Sequence, residues 1–263
     1  MGSSSVTSSL GNTLKTQIYV LQDYSELAFQ SLRSIFANTL EPVDVLEQMD
    51  QIGVGSLPII IVALICVGGV IVLNAASQFS RFGETVLTGD ALSLSLLREL
   101  GPVFTALLVA GRNATGMASQ LGSMLVTEQV DAIRVMGVDP VRKLMAPRVL
   151  ATVLVLPLLA AIGDAAGLLG GFLVASLTLH INGEEFWTRA IRALEVGDFV
   201  IGFSKPLIFG FIIATVGCYQ GLRVQGGTAG VGRATIMAFV AASLGVLVTD
   251  LFVTKLLLYV FKM

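Results

Sequence analysis

Six ionisable side chains sit inside long apolar stretches of this sequence: Arg98, Glu99, Asp164, Lys205, Asp250 and Lys255. A charge in such a stretch is costly unless it meets an opposite charge, a headgroup, water or a substrate. Arg98 and Glu99 are chain neighbours, about 100° apart on a helix. They are therefore expected to find separate partners rather than each other. For Arg98, Glu99 and Asp250, structural pairing and contact with a substrate are both open. Lys205 and Lys255 are expected to lay their stems along apolar surface and reach an interface with the ammonium. Asp164 and Asp250 are the groups an ion-coupled secondary transporter or channel would use.

The other chemically rich segment is SMLVTEQVDAIRVMGVDPVRKLMAPRVLA, which holds Glu128, Asp131, Arg134, Asp139, Arg142, Lys143 and Arg148 between two apolar runs. Val126, Val130, Ile133 and Gly137 share one helical face, and Thr127, Glu128, Asp131 and Arg134 lie mostly away from it. Ser123 or Thr127 is expected to cap the start of a short amphipathic helix, about 123–138. Gly137 is expected to close it, and Asp139-Pro140 to begin the next helix. Such an element serves either as a plain connector or as a lever held by a soluble partner; the pattern alone allows both.

Several kinds of chemistry find no support. Lys15-Thr16 follows Leu14 rather than Gly, so no phosphate-binding loop is present. The glycine-rich GGTAGVG at 226–232 has no lysine and is expected to be a flexible turn. With one histidine, His180, and two cysteines inside apolar runs, Cys66 and Cys218, neither a zinc site nor a disulfide framework is suggested. His180 is expected in a loop or interface. Neither a Ser-His-Asp nor a Cys-His arrangement is visible. The net charge of −2 gives no reason to expect a nucleic-acid partner.

The elements that must carry these residues follow from hydropathy. Of the 263 residues, 54% are hydrophobic and only 13% charged, against about 25% charged in soluble domains; mean hydropathy is +0.85. A spanning helix needs about 20 apolar residues, and five runs qualify: 54–73, 91–111, 149–179, 199–222 and 234–260. Pro58 is expected in the first turn of its helix. Residues 10–50 are expected to form an amphipathic helix on the membrane surface, with Leu14, Ile18, Leu21, Ala28, Leu32 and Ile35 on one face. Lys and Arg concentrate in the loops at 112–148 and 223–233, which places those loops and the N-terminus in the cytoplasm and the C-terminus on the periplasmic side. Gly163, Gly167 and Gly171, and again Gly217 and Gly221, have the spacing that lets helices approach closely in lipid. The expected fold is thus an all-α integral membrane protein, with an interfacial N-terminal helix region over 1–50 and a transmembrane domain over 51–263.

GVGSLPI at 53–59, LSLLRELGPVFTALLVAGR at 94–112, VTEQVDAIRVMGVDPVRKLMAPRVLA at 126–151, GTAGVGRAT at 227–235 and TDLFVT at 249–254 resemble the MlaE/YrbE permease family. The resemblance implies the membrane subunit of an ABC transporter for phospholipid or a related lipid, in a bacterial inner membrane. It implies a homodimer in which each copy binds a cytoplasmic ATPase. ATP and Mg would bind on that partner, so no cofactor is expected in this chain. It further implies a ring of MCE-domain proteins on the outer side, and leaves room for a small accessory subunit. The charged segment would be the coupling helix, with Thr127, Glu128, Asp131, Arg134 and Gly137 at or near the ATPase. The lipid cavity would involve Leu73, Asn74, Arg98, Glu99 and Asp250. Asp164 lies outside the matching motifs, and VLNAASQF at the end of the first span departs from the family pattern.

Overall fold

A computed structural model of the chain describes residues 3–37, 40–82 and 87–261. Eight principal helices account for most of them: α1 (Ser3–Phe36), α2 (Pro42–Phe79), α3 (Thr88–Val126), α4 (Gln129–Val135), α5 (Val141–Leu177), α6 (Gly183–Arg192), α7 (Val196–Leu222) and α8 (Gly227–Phe261). The described residues contain no strand. Five helices, namely α2, α3, α5, α7 and α8 through Leu257, are long and apolar enough to cross a membrane. The chain is a multi-pass, all-α membrane protein.

The five spans exist as expected, but their helices outrun the apolar cores. α3 has 39 residues, about 58 Å of helix, against a hydrocarbon layer of about 30 Å. Arg112, expected in a cytoplasmic loop, therefore lies within α3, and the loop contracts to the residues around α4. Pro58 is not in a first turn, because α2 begins at Pro42 and carries Pro58 inside it. The glycines from Gly227 onward are not a turn; they form the first turns of α8, with Gly226 and Gly227 at positive φ supplying the reversal.

Three wide, π-helical segments interrupt the spans: Leu96–Leu100 and Ala110–Ala114 in α3, and Val141–Met145 at the head of α5. Two have the same cause. Pro102 and Pro147 lack the N–H that would bond the carbonyls of Arg98 and Lys143, and the preceding turn widens. In the third, the Thr115 hydroxyl donates to the carbonyl oxygens of Gly111 and Arg112, competing with the backbone ladder.

α5 is the most enclosed span and α8 the least. α5 packs along α2, where glycines set the distance. A Cβ at Gly68 would overlap the Gly167 carbonyl, and one at Gly170 would overlap Ile65. α7 crosses α3 in the same way, with Gly217 against Ala114 and Gly221 against Ala118 and Leu121. Both sets of glycines singled out by spacing thus lie at helix contacts.

α1 docks at the end of the bundle that carries α4. The Tyr24 hydroxyl meets Thr215 Oγ1 at 2.8 Å, its ring packs edge-on against Tyr219, and Asp23 pairs with Arg223 at 3.0 Å. Burial pushes the Tyr24 phenol above its usual pKa. The opposite end is covered by α6, whose Asn182 cap accepts a hydrogen bond from Glu184 N. Phe186 and Trp187 of α6 close a small core with Phe172. His180 stands in the loop between α5 and α6 at positive φ.

Candidate functional site

Four of the six charged residues in the apolar stretches, Arg98, Glu99, Lys205 and Asp250, gather around the wide segment of α3 at Leu96–Leu100. The extra residue in that turn, followed by Pro102, aims Arg98 and Glu99 at different places on α7. Arg98 Nε binds Asp198, whose side chain is wholly buried. Asp198 also accepts a bond from Glu195 N and so caps α7. Glu99 Oε2 binds Lys205 Nζ at 2.6 Å, and Asp250 Oδ1 of α8 lies 3.1 Å from the same ammonium. Thr254, one turn beyond Asp250, donates to both carboxylates at 3.4 Å. Three spans are thereby tied together by charge.

The expectation that Arg98 and Glu99 would look away from each other holds. The expectation for Lys205 does not, because its side chain is 0% exposed. It emerges from the α3-facing side of α7, where two carboxylates hold it, and no stem-out path to an interface exists. Lys255 is exposed, as a residue reaching an interface should be. Asp198 was not among the residues singled out in the sequence. The available signal was its spacing of seven residues from Lys205, two helical turns on one face.

The cluster is not sealed. The Glu99 side chain is 41% exposed and that of Asp250 20%, so its acidic side opens at the surface between α3 and α8. Leu73 and Asn74 are exposed on α2. No hydrogen bond or ion pair among the described residues joins them to the cluster, and α2 packs along α5 rather than beside α8. Within one chain, these residues and the cluster do not form one cavity. Asp164 also stands apart. It is buried on α5 against Gly101, with Oδ1 lacking a hydrogen-bond partner, as is Thr105 Oγ1 on α3.

The segment after α3 forms a compact projection. α3 runs on to Val126, so Ser123 and Thr127 do not cap the short helix. Thr127 instead ends α3, with its N–H and hydroxyl both donating to the Ser123 carbonyl. Glu128 then adopts a left-handed conformation at φ 61°, which turns the chain sharply into α4. Gly137 at φ 77° closes α4, with Gly137 N bonding Arg134 O and Val138 N bonding Ile133 O. That paired closure is the Schellman arrangement and needs a residue free of Cβ strain. Asp139 accepts from Val141 N and caps the start of α5. α4 is held by Val130, fully buried, while Val135 is 88% and Met136 70% exposed. Asp131 and Arg134 form an exposed pair at 2.9 Å. So Thr127, Glu128, Asp131, Arg134 and Gly137 do come together, around an apolar tip that none of the described residues covers.

Comparison with known proteins gives a consistent result. The family model described as Permease MlaE matches residues 45–256. A probable ABC transporter permease protein of Rickettsia typhi is 37% identical over 234 residues, 89% of this chain and 90% of that protein. The intermembrane phospholipid transport system permease protein MlaE of Haemophilus influenzae is 34% identical, covering 80% of this chain and 81% of its own length. The chloroplastic protein TRIGALACTOSYLDIACYLGLYCEROL 1 of Arabidopsis thaliana is 33% identical over 85% of this chain. The first two of these relatives are named as permeases, and a permease fits a bundle whose charges are paired between spans and whose free projection lies outside it. The chain belongs to the MlaE family of ABC-transporter permeases.

Proposed function

We propose that this chain moves phospholipid, or a related lipid, between an inner membrane and an outer ring of MCE-domain proteins, driven by a separate ATPase. The observation that carries the reading is the α4 projection. A seven-residue helix is pinned at Val130, bent at Glu128, locked at Gly137 and capped at its tip by bare Val135 and Met136. Its rigidity suits it to pass a displacement from a gripping partner into α3 and α5, to which it is joined at both ends. ATP and Mg reside on that partner.

Two copies supply the cargo path. The α8 face and the outer part of α2 expose Leu247, Leu251, Phe252 and Leu73; in a homodimer these surfaces enclose an apolar cavity. Arg98, Glu99 and Asp250, with Asn74, then offer charge to a headgroup at its edge. The α1 and α4 end, with Arg142, Lys143 and Arg223, faces the cytoplasm, and the α6 end seats the outer ring. Five spans then put the C-terminus on the periplasmic side. The rival ion-coupled reading loses one of its two acids, since Asp250 is already paired with Lys205.

The test is co-purification. Val135→Asp with Met136→Asp should abolish recovery of the ATPase on the tagged permease while the variant permease itself melts normally. Undiminished recovery would refute the assigned role of α4.

A further inference from the structure

On the face shared by α2 and α3, away from the charge cluster, lies a cavity of about 420 Å³ lined by Gln48, Asp50, Gln51, Arg112, Asn113 and Gln120 among others. Its position in depth is fixed by α2. The polar first turns of α2, ending at Gln51, give way at Val54 to the uncharged run through Leu73. Arg112 spans this border, with Nη1 donating to Gln51 O at 3.2 Å and to Ser56 Oγ at 3.0 Å. Asn113 adds a bond to the same Ser56 hydroxyl at 3.3 Å. The guanidinium lies flat on Gly55, where a Cβ would overlap Nη1, Nη2 and Cζ.

Arg112 is exposed and has no carboxylate within 4.0 Å among the described residues. Neither Nε nor Nη2 donates to any described protein acceptor. The guanidinium is therefore anchored by one nitrogen and offers a free pair of donors, the arrangement that recognises a phosphate in two places at once. Among the described residues, Asp50 is the only other charged one lining the cavity, and none of them offers it a basic partner. One unpaired cation and one unpaired anion share a cavity at headgroup depth.

We propose that this cavity binds the headgroup of a zwitterionic aminophospholipid from the cytoplasmic leaflet, its phosphate on Arg112 and its ammonium toward Asp50. The site is separate from the cargo cavity of the dimer. It rests on the orientation given above but not on lipid being the transported cargo. Its acyl chains lie along the exposed apolar surface of α2 that begins at Val54 and continues through Ile59 and Val62.

The test is native mass spectrometry of the purified full chain in detergent, titrated with dilauroyl-phosphatidylethanolamine. Parallel titrations use dilauroyl-phosphatidylglycerol and the water-soluble headgroup glycerophosphoethanolamine. Arg112→Gln should weaken one phosphatidylethanolamine adduct per chain about tenfold, and Arg112→Lys by less. Gly55→Ala, which keeps the charge but unseats the guanidinium, should weaken the same adduct. Asp50→Asn should reverse the preference, favouring phosphatidylglycerol over phosphatidylethanolamine. Adducts indifferent to both Arg112→Gln and Gly55→Ala would overturn the proposal. So would glycerophosphoethanolamine displacing the lipid at equal concentration, since a soluble phosphate ester would then be the ligand. Undiminished ATPase recovery on the Val135→Asp, Met136→Asp variant, with the Arg112-dependent adduct intact, would count against the transporter reading alone. An Arg112-independent adduct with ATP-driven lipid movement intact would count against this site alone.

Discussion

Replacing Lys205 by Met tests whether the charge cluster is what binds α3, α7 and α8. Methionine keeps the length and most of the volume of the lysine stem, so little packing is lost. What remains is Asp250, 20% exposed, and Glu99, 41% exposed, facing the place of a charge that is gone. At an effective dielectric constant of about 20, a pair at 3.1 Å is worth about 5 kcal/mol before solvation is counted. Glu99 contributes less than its 2.6 Å separation implies, because water screens it. Against this, removing Lys205 also relieves the cost of burying an ammonium. Breaking a buried pair from one side nets about 3–5 kcal/mol of destabilisation. For a chain of this size that lowers the melting temperature by roughly 10 °C. The assay is thermal unfolding in detergent by circular dichroism. Adding Asp250→Asn to Lys205→Met removes the orphaned carboxylate and should recover part of the loss, with a coupling of about 1–3 kcal/mol. Lys255→Met, at an exposed position, serves as the control and should shift melting by less than about 1 °C. A Lys205→Met protein that melts like the wild type, or a double variant that is strictly additive, would refute the reasoning.

Two further outcomes follow from packing at other places. Gly68→Ala forces a methyl into the Gly167 carbonyl between α2 and α5, and should destabilise by about 1–3 kcal/mol or more, read in the same melting assay; an unchanged midpoint would show that the two helices are not this close. The Tyr24 contact should make α1 docking depend on alkaline pH. Its phenol has a raised pKa in the folded protein, so its contribution is complete below pH 10, the ordinary tyrosine value, and is lost as pH climbs through the higher folded value. Limited proteolysis of α1 should therefore be constant up to about pH 10 and rise above it, and Tyr24→Phe should abolish that rise.

Much of the fold was legible in the sequence because hydropathy reports spans directly. Five apolar runs gave five crossing helices, and the glycine spacings at 163–171 and 217–221 marked real helix contacts. The misjudged boundaries have one physical source. Hydropathy marks where lipid must be, not where hydrogen-bonded helix ends, so α3 continued past its apolar part to include Arg112 and α2 began at Pro42. The wide turns before Pro102 and Pro147 were legible in principle, since each proline removes one known donor. Lys205 was misread because a lone lysine in an apolar run looks the same whether it reaches lipid headgroups or faces two carboxylates on neighbouring helices. Only the spatial meeting of α3, α7 and α8 distinguishes those cases. The α4 segment was recognisable by its motif, yet its bend at Glu128 was not, because a left-handed glutamate has no sequence signature.

The most direct measurement is lipid movement in proteoliposomes holding this chain and its ATPase, followed with a short-chain fluorescent phospholipid. ATP should start movement with the wild-type permease and fail to do so with Val135→Asp and Met136→Asp together, although the bilayer-embedded bundle is intact. Equal movement without the ATPase, or movement driven by a proton gradient alone, would contradict the reading of α4 as the point where energy enters.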